Sequence, residues 1–587
     1  MGYAHDYAAA IMRRGRVPMP PADFVPNWAD GPRKTKFYPG ADTVPLPGHT
    51  MPPGATVGRG LAPDHDGPGH VGPGDDGRDH DGRDHVGPGH DGRDHVGPGH
   101  DGRDHAGPGH DGRDHAGPDR DRPERPFDLP ALSGMLRDSY GLTGRRLGVQ
   151  ANTDLDALPF HPLANWSRGT ASGGGLYPVS VYWVSGPSGP LPPGVHYYAT
   201  RHHALQCLLA GDVSGEVREA LGDPASAGER ASGTDQFLVL GVKYWQNAFK
   251  YNSFSFHAVT MDVGTVLQTW RIWARAQGLR VEPLMWFDER RLARLLGIRT
   301  EDEGVFAVVP LRWEGARARP APLADTATVR RRDAERSRTV LTFDAVRRMQ
   351  AATEEHAARR PAAGALAPAA APVPDRGLPA VPLPAPTPLD TDVRTALRDR
   401  RSSFGRFDAR RPLSAEHLAS CLAAAADGAS LGGDTGTGTT RIAGLYAFVG
   451  HTEGITPGAY AYDPAAHALR LVKAGPPGTF LQKNYFLANY NLEQTGAVLV
   501  PTVRTGAVLD TVGDRGYRIV NAVVGAISQS VYTAASALGV GCGVALGFDN
   551  VAYSEELGLE HTGESPLLIM MLGSERPAPA DFRHEIA

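Results

Sequence analysis

Four consecutive residues, Arg400, Arg401, Ser402 and Ser403, close a helical pattern in the segment Leu397–Phe407. Two guanidinium forks beside two hydroxyls suit the oxygens of a phosphate monoester, which a planar cation can pair bidentately. A solvated basic turn would look the same. A second segment, Arg168-Gly-Thr-Ala-Ser-Gly-Gly-Gly-Leu-Tyr-Pro178, sets Ser172, Gly173, Gly174 and Gly175 just before a strand pattern. With no side chains in the way, backbone N–H groups in such a run approach an anion or a flat ring closely. The spacing matches neither a P-loop nor GxGxxG, so neither ATP nor a Rossmann-bound NAD follows from it.

The elements that must position these residues come in two copies. Pro192–Leu209 and Thr456–Val472 share a Pro-Gly-x-x-x-Tyr opening and a His-Ala-Leu ending at an offset of 264. Farther on the offset settles at 261, where Gly264 matches Gly525, Gln268 matches Gln529, Gly278 matches Gly539 and Phe287-Asp288 matches Phe548-Asp549. The chain is a tandem duplication. Each copy predicts a helix (129–139; 415–426), a strand (179–184; 445–449) and a Tyr-rich hairpin strand. An apolar strand (236–242; 497–503), a long helix (257–277; 518–538) and a last strand (305–310; 567–572) follow. The long helices are apolar nearly all round, which places them in a core or an interface. Strands and helices around one central mixed or antiparallel sheet predict an α+β fold. Two such copies predict an intramolecular pseudo-dimer, the covalent form of an isologous dimer.

Several motifs together carry a family resemblance. They are Arg-Arg-Ser-Ser with its downstream Arg-Phe, Ser-Gly-Gly-Gly-Leu-Tyr-Pro before a strand, and the Pro-Gly-x-x-x-Tyr hairpin. Gly513-Asp-Arg-Gly-Tyr-Arg518 precedes the second long helix, and Leu538-Gly-Val-Gly-Cys-Gly-Val-Ala-Leu-Gly-Phe-Asp549 follows it. In this order they resemble the nitroreductase-like flavoprotein superfamily, and within it the SagB-type azoline dehydrogenases. The resemblance implies FMN between the halves. Arg400–Ser403 and the late glycines Gly541, Gly543 and Gly547 would come from the C-half, and Ser172–Gly175 from the N-half. It also implies one working FMN site and one lost one. Where the C-half should carry the Ser-Gly-Gly-Gly loop it has the shorter Gly438–Tyr446. Where the N-half should carry Arg-Arg-Ser and the late glycines it has a repeat tract and the bulky Gly278–Trp286.

The resemblance further implies a Lys-Tyr pair before the long helix. The 261 offset selects Lys250-Tyr251 over Lys243-Tyr244, which reads as structural. Lys250 would take a proton while a hydride leaves to the flavin, burial lowering its pKa toward that use. One departure follows the pair: Asn252-Ser-Phe-Ser-Phe-His257 stands where Gly-x-Arg-Gly-Tyr-Arg is expected. The implied activity is FMN-dependent oxidation of thiazoline or oxazoline rings to azoles in a ribosomally made peptide. The azoline-containing precursor peptide would be the substrate, and a cyclodehydratase complex a partner. An NAD(P)H-dependent FMN reductase, another peptide-tailoring flavin oxidoreductase, and a non-catalytic scaffold binding peptide or partner enzymes stay open as alternatives.

The 72 Gly and 50 Pro of the 587 residues are unevenly spread. Asp64–Pro118 repeats a ten-residue unit such as VGPGHDGRDH and holds ten of the 23 histidines without one aromatic. It cannot offset chain entropy by burial, so an inert disordered insertion is expected, with at most weak metal binding. Pro361–Pro388 is Ala/Pro-rich and reads as a semi-rigid linker, after a helical pattern over Thr342–Arg359. The organisation read from this is an arm (1–63), the insertion (64–118), a first domain (119–330), a helix and linker (331–387) and a second domain (388–578). A net charge of −5 gives no sign of nucleic-acid binding. No apolar run has the length of a membrane span, and no signal peptide is legible. Three distant cysteines argue against disulfides and a cysteine zinc site. A soluble, cytoplasmic, monomeric pseudo-dimer is expected.

Overall fold

A computed structural model describes residues 2–62, 124–147, 164–222, 229–316, 327–435, 440–577 and 583–586. The decapeptide insertion lies outside them. Each half builds one antiparallel sheet, in keeping with the predicted α+β class. In the N-half the strand order is Thr43–Pro45, Ala204–Ala210, Gly194–Ala199, Val179–Ser185, Gln236–Lys243, Glu303–Pro310. The C-half runs Ala380–Pro382, Ala468–Ala474, Gly458–Asp463, Ala443–Val449, Ala497–Val503, Ile569–Gly573, Gly541–Ala545.

The duplication is visible in detail. Both central hairpins carry a register shift at the same place, Val195/His196 and Ala459/Tyr460. Both close on a histidine at positive φ, His203 and His467, whose Nδ1 pairs with the hydroxyl of Tyr198 or Tyr462 at 2.9 Å. The C-half has two strands more, the short Ser565–Pro566 on Ala497–Val503 and Gly541–Ala545. Gly541–Ala545 pairs along its whole length with Ile569–Gly573, whereas its N-half counterpart is reduced to the single bridge Leu284–Val308.

The long helices Ser255–Ala276 and Gly516–Ala537 cross at the centre and are buried almost throughout. Their crossing is reciprocal. A Cβ on Gly264 would run into the Ala522 carbonyl, and one on Gly525 into the Met261 carbonyl. Each residue of one pair matches one of the other at the 261 offset, so residue i meets j′ and i′ meets j, as an isologous interface requires. The backbones touch because Gly264 and Gly525 carry no side chain there.

The segments outside the two cores are also paired. Thr56 caps the helix Val57–Leu61 and Asp392 caps Val393–Asp399. The two caps face each other in an antiparallel bridge. Eight residues beyond Asp392 stands Arg400, and eight beyond Thr56 the insertion begins. The predicted helix over Thr342–Arg359 spans Asp344–Glu354. The Ala/Pro-rich stretch is more than a spacer: Leu366 and Ala369 are buried, and Ala380–Pro382 forms an edge strand on Ala468–Ala474. Thr43–Pro45 does the same on Ala204–Ala210. Both strands end in proline, which an edge tolerates because one side of the strand lacks a partner. Among the described residues no helix is long and apolar enough to cross a membrane.

Candidate functional site

The segment Arg400–Ser403 follows the helix Val393–Asp399 and is held from three directions. Arg400 donates from Nε to the Gly169 carbonyl (2.8 Å) and from Nη2 to that of Arg168 (3.1 Å), joining the start of the N-half glycine loop. Arg401 pairs with Glu575 (3.0 Å), yet about a third of its side chain stays exposed and open to an anion. Ser402 Oγ lies 2.8 Å from the Tyr532 hydroxyl. Ser403 donates from N (2.8 Å) and Oγ (3.0 Å) to the Cys542 carbonyl, which ties the segment to the strand of Gly541 and Gly543.

The late glycines form a wall on which aromatic side chains lie. A Cβ on Gly541 would stand 3.0 Å from Ser403 Oγ, and one on Gly543 would enter the Tyr490 ring. Gly547 faces Leu487, and its carbonyl accepts from Phe486 N (2.8 Å). Phe404 stacks on Tyr490 with centroids 5.4 Å apart.

Across from this wall, the loop Ser172–Gly175 is anchored on the N-half long helix by Asp262. One carboxylate oxygen accepts from Ser172 Oγ (2.6 Å) and the other from Gly173 N (2.8 Å). Ser172 Oγ in turn accepts from Tyr177 N (2.9 Å). From the C-half helix, Gln529 accepts from Ala171 N (3.0 Å) and donates to the Gly169 carbonyl (3.3 Å). Gly174 has φ 64, where a side chain is strained. There is also no room for one: a Cβ would lie 2.9 Å from Lys250 Nζ and closer still to the Tyr251 hydroxyl.

Lys250 and Tyr251 thus rest on the glycine loop, at the end of the helix Trp245–Tyr251. Lys250 Nζ lies 4.8 Å from the Tyr251 ring centroid and 5.9 Å from that of Trp28, an exposed residue of the N-terminal arm. Tyr251 also acts across the halves: burial, with Tyr251 nearby, raises the Tyr485 hydroxyl above the usual phenol range. Lys34 adds a third cation, its pKa lowered by burial and by Arg168 and Lys250. Lys243, by contrast, pairs with Asp333 and Glu335 (2.5 Å each), away from the glycine loop.

All thirteen residues singled out from the sequence therefore belong to one contact chain from Arg400 through the two glycine segments to Lys250. Asp262, Gln529, Trp28, Lys34 and Tyr485–Tyr490 were not foreseen. Asp262 did carry a signal, as the one acidic residue in an otherwise largely apolar long helix, matched at the 261 offset by Val523. One feature fits a flavin mononucleotide: the Arg401 guanidinium, about a third exposed beside two serines. At Gly174 and Gly543 the side chains of Lys250, Tyr251 and Tyr490 lie where a Cβ would be.

The pseudo-symmetric position in the other half is filled by the chain itself. Asp434 accepts from Met285 N (2.6 Å) and Trp286 N (3.2 Å) and pairs with Arg360 (2.8 Å). Trp286 is buried where Gly547 stands in the first site, and Gly433 abuts the Pro283 carbonyl. The loop Gly438–Tyr446 lies partly outside the described residues.

Asp262 makes the site sensitive to pH. Burial raises its carboxyl to about 7, against the hydrogen bonds from Ser172 and Gly173, which favour the charge. The folded protein therefore holds this proton more tightly than the unfolded chain does. The group's contribution to stability is greatest below pH 4 and falls as pH rises through about 7. The full loss is on the order of 4 kcal/mol. Asp262→Asn should thus flatten the melting-temperature profile between pH 5 and 8. A variant that loses stability across that range as steeply as the wild type would refute the assignment.

Residues 397–574 match the family described as Nitroreductase. Among solved structures, a protein of Anabaena variabilis assigned to the nitroreductases aligns over 98% of this chain and 100% of its own, at 18% identity and TM-score 0.66. The pair of large antiparallel sheets with their two crossing long helices is thus the nitroreductase fold. A Ralstonia eutropha protein of the same assignment covers 36% of this chain and 95% of its own (21% identity, TM-score 0.27). The Escherichia coli microcin synthetase McbBCD complex with truncated pro-MccB17 covers 30% and 70% (20% identity, TM-score 0.27). No curated protein matches the chain.

Proposed function

We propose that the chain is an FMN-dependent oxidoreductase that oxidises thiazoline or oxazoline rings to azoles in a precursor peptide. The observation that supports this most is the placement of Lys250 and Tyr251 on Gly174, inside a site whose opposite wall is Gly541–Gly547 and whose anion end is Arg400–Ser403. Arg401 with Ser402 would hold the phosphate, and Gly173–Gly175 with Gly541, Gly543 and Gly547 would flank the ring. Bound FMN would supply the hydride acceptor, with dioxygen as the terminal oxidant. Aromatisation also releases a proton, and Lys250 Nζ would take it. Among the described residues this amine makes no ion pair. The Tyr251 hydroxyl beside it orients the ring or relays the proton.

The Asp434–Trp286 filling of the other position supports a reading of one site per chain. Protein purified with its cofactor should release close to one FMN per chain on denaturation, measured by absorbance. Two per chain would overturn the one-site reading, and colourless protein that takes up no FMN would overturn the whole proposal. Incubation with an azoline-bearing peptide should remove two hydrogens per ring by mass spectrometry. Bleaching of the flavin by NADPH faster than by peptide would transfer the assignment to a reductase.

A further inference from the structure

The motif Gly513-Asp-Arg-Gly-Tyr-Arg518 has no equivalent in the N-half, where Asn252–His257 occupies the position. At the 261 offset Arg515 corresponds to Phe254. Both residues cap their long helices with nearly the same backbone angles, φ −62, ψ −24 for Arg515 and φ −70, ψ −19 for Phe254. Arg515 performs a definite task. Its Nε donates to the Met285 carbonyl (2.7 Å), its Nη1 pairs with Glu289 (2.9 Å), and its guanidinium lies 4.9 Å from the Phe287 ring centroid.

The partners of that task survive in the flavin-side half. Met285, Phe287 and Glu289 correspond to Leu546, Phe548 and Asn550. All three are engaged by Arg14, from the end of the N-terminal helix Tyr3–Arg13. Its Nη2 donates to the Leu546 carbonyl, its Nη1 donates to Asn550 Oδ1 (2.6 Å), and its guanidinium lies 5.9 Å from the Phe548 ring centroid. Phe254 itself lies against the same guanidinium, at 4.8 Å.

We infer that Arg14 is a positioning residue of the flavin site, a guanidinium moved to the N-terminal arm to replace the one missing at position 254. It clamps the turn from Leu546 to Asn550, and so sets the place of Gly547 and of Phe486, which bonds to it. The inference rests on the flavin site proposed above. It makes the arm part of that site, together with Trp28 over Lys250 and Gly15, which packs on the Phe486 ring.

The test is transplantation. Arg14→Ala should weaken FMN binding to the stripped protein about 10- to 100-fold in a fluorescence titration, the loss expected for charge-assisted hydrogen bonds. Arg14→Ala combined with Phe254→Arg should recover the affinity to within about threefold. A merely structural arginine would lower the melting temperature without changing this affinity, and a new arginine at 254 would not rescue it. Unchanged affinity in Arg14→Ala, or no recovery in the double variant, overturns the inference. Phe254→Arg alone gives a second readout that needs neither flavin nor the alanine variant. Two guanidinium groups would compete for one set of acceptors, Arg14 would be displaced, and trypsin would cut near Arg13–Arg14 faster than in the wild type. Continued protection there would show that the two arginines do not share a position. A wild type that binds no FMN removes the proposed function, while the trypsin comparison still decides the relocation.

Discussion

Lys250→Ala is expected to retain FMN and to form azole about 10²- to 10⁴-fold more slowly, the contribution of a positioned general base. The argument is geometric. Among the described residues Lys250 Nζ stands over Gly174 beside the rings of Tyr251 and Trp28 and makes no ion pair, so its removal opens space on the glycine loop without stranding a carboxylate there. The Arg400–Ser403 anchor and the Gly541–Gly547 wall do not touch it, so cofactor loading should fall far less than the rate of azole formation. Tyr251→Phe removes one hydroxyl and keeps the ring that packs on Phe254, and should cost about tenfold, one lost hydrogen bond. Mixing enzyme and azoline peptide anaerobically, and following flavin bleaching in a single turnover, separates loss of the chemical step from loss of peptide binding. Bleaching at the wild-type rate in Lys250→Ala would remove the residue from the mechanism, whatever the steady-state rate. A rise in KM with kcat unchanged would make Lys250 a substrate-binding cation, in line with Lys34 and Arg168 nearby.

Much of this arrangement is legible before any coordinates, because duplication supplies an internal reference. The 261 offset alone pairs Gly264 with Gly525, the two residues on which the helices cross; the preference for Lys250 over Lys243 needs the family resemblance as well. Hydrophobic periodicity places the strands and long helices to within a few residues. The Ala/Pro-rich stretch was less clear: its composition reads as a spacer, while the edge strand Ala380–Pro382 depends on a neighbour far along the chain, Ala468–Ala474. The same limit hides the residues that complete the site. Arg14 reaches Leu546 across 532 residues of sequence, and no local pattern records that contact. Trp28 and Tyr485–Tyr490 come from loops whose composition is ordinary. Asp262 is the intermediate case: visible as an oddity in its helix, its partner Ser172 is set by how the loop folds back.

The second large effect concerns the helix crossing on which the site depends. Gly264→Val should destabilise the protein by about 3 kcal/mol or more, the upper range for overpacking, because the obstacle is backbone and cannot turn aside as a side chain would. Gly525→Val should cost about as much, since it meets the Met261 carbonyl in the same geometry. The two substitutions act on one separation: once the helices have parted for the first, the second finds space already made. The double variant should therefore lose clearly less than the sum of the single losses, a coupling that contacting positions show and distant ones do not. Gly506→Ala is the control. It lies within the helix Thr505–Val512 with nothing near its Cβ position, so it should be neutral or gain up to about 1 kcal/mol. Urea unfolding followed by circular dichroism checks all four proteins, and strict additivity at 264 and 525 would refute the shared crossing. The separation should also reach the flavin site, because Gln529 and Asp262, which hold the glycine loop, project from these two helices. FMN release should rise in Gly264→Val even under conditions where the protein remains folded.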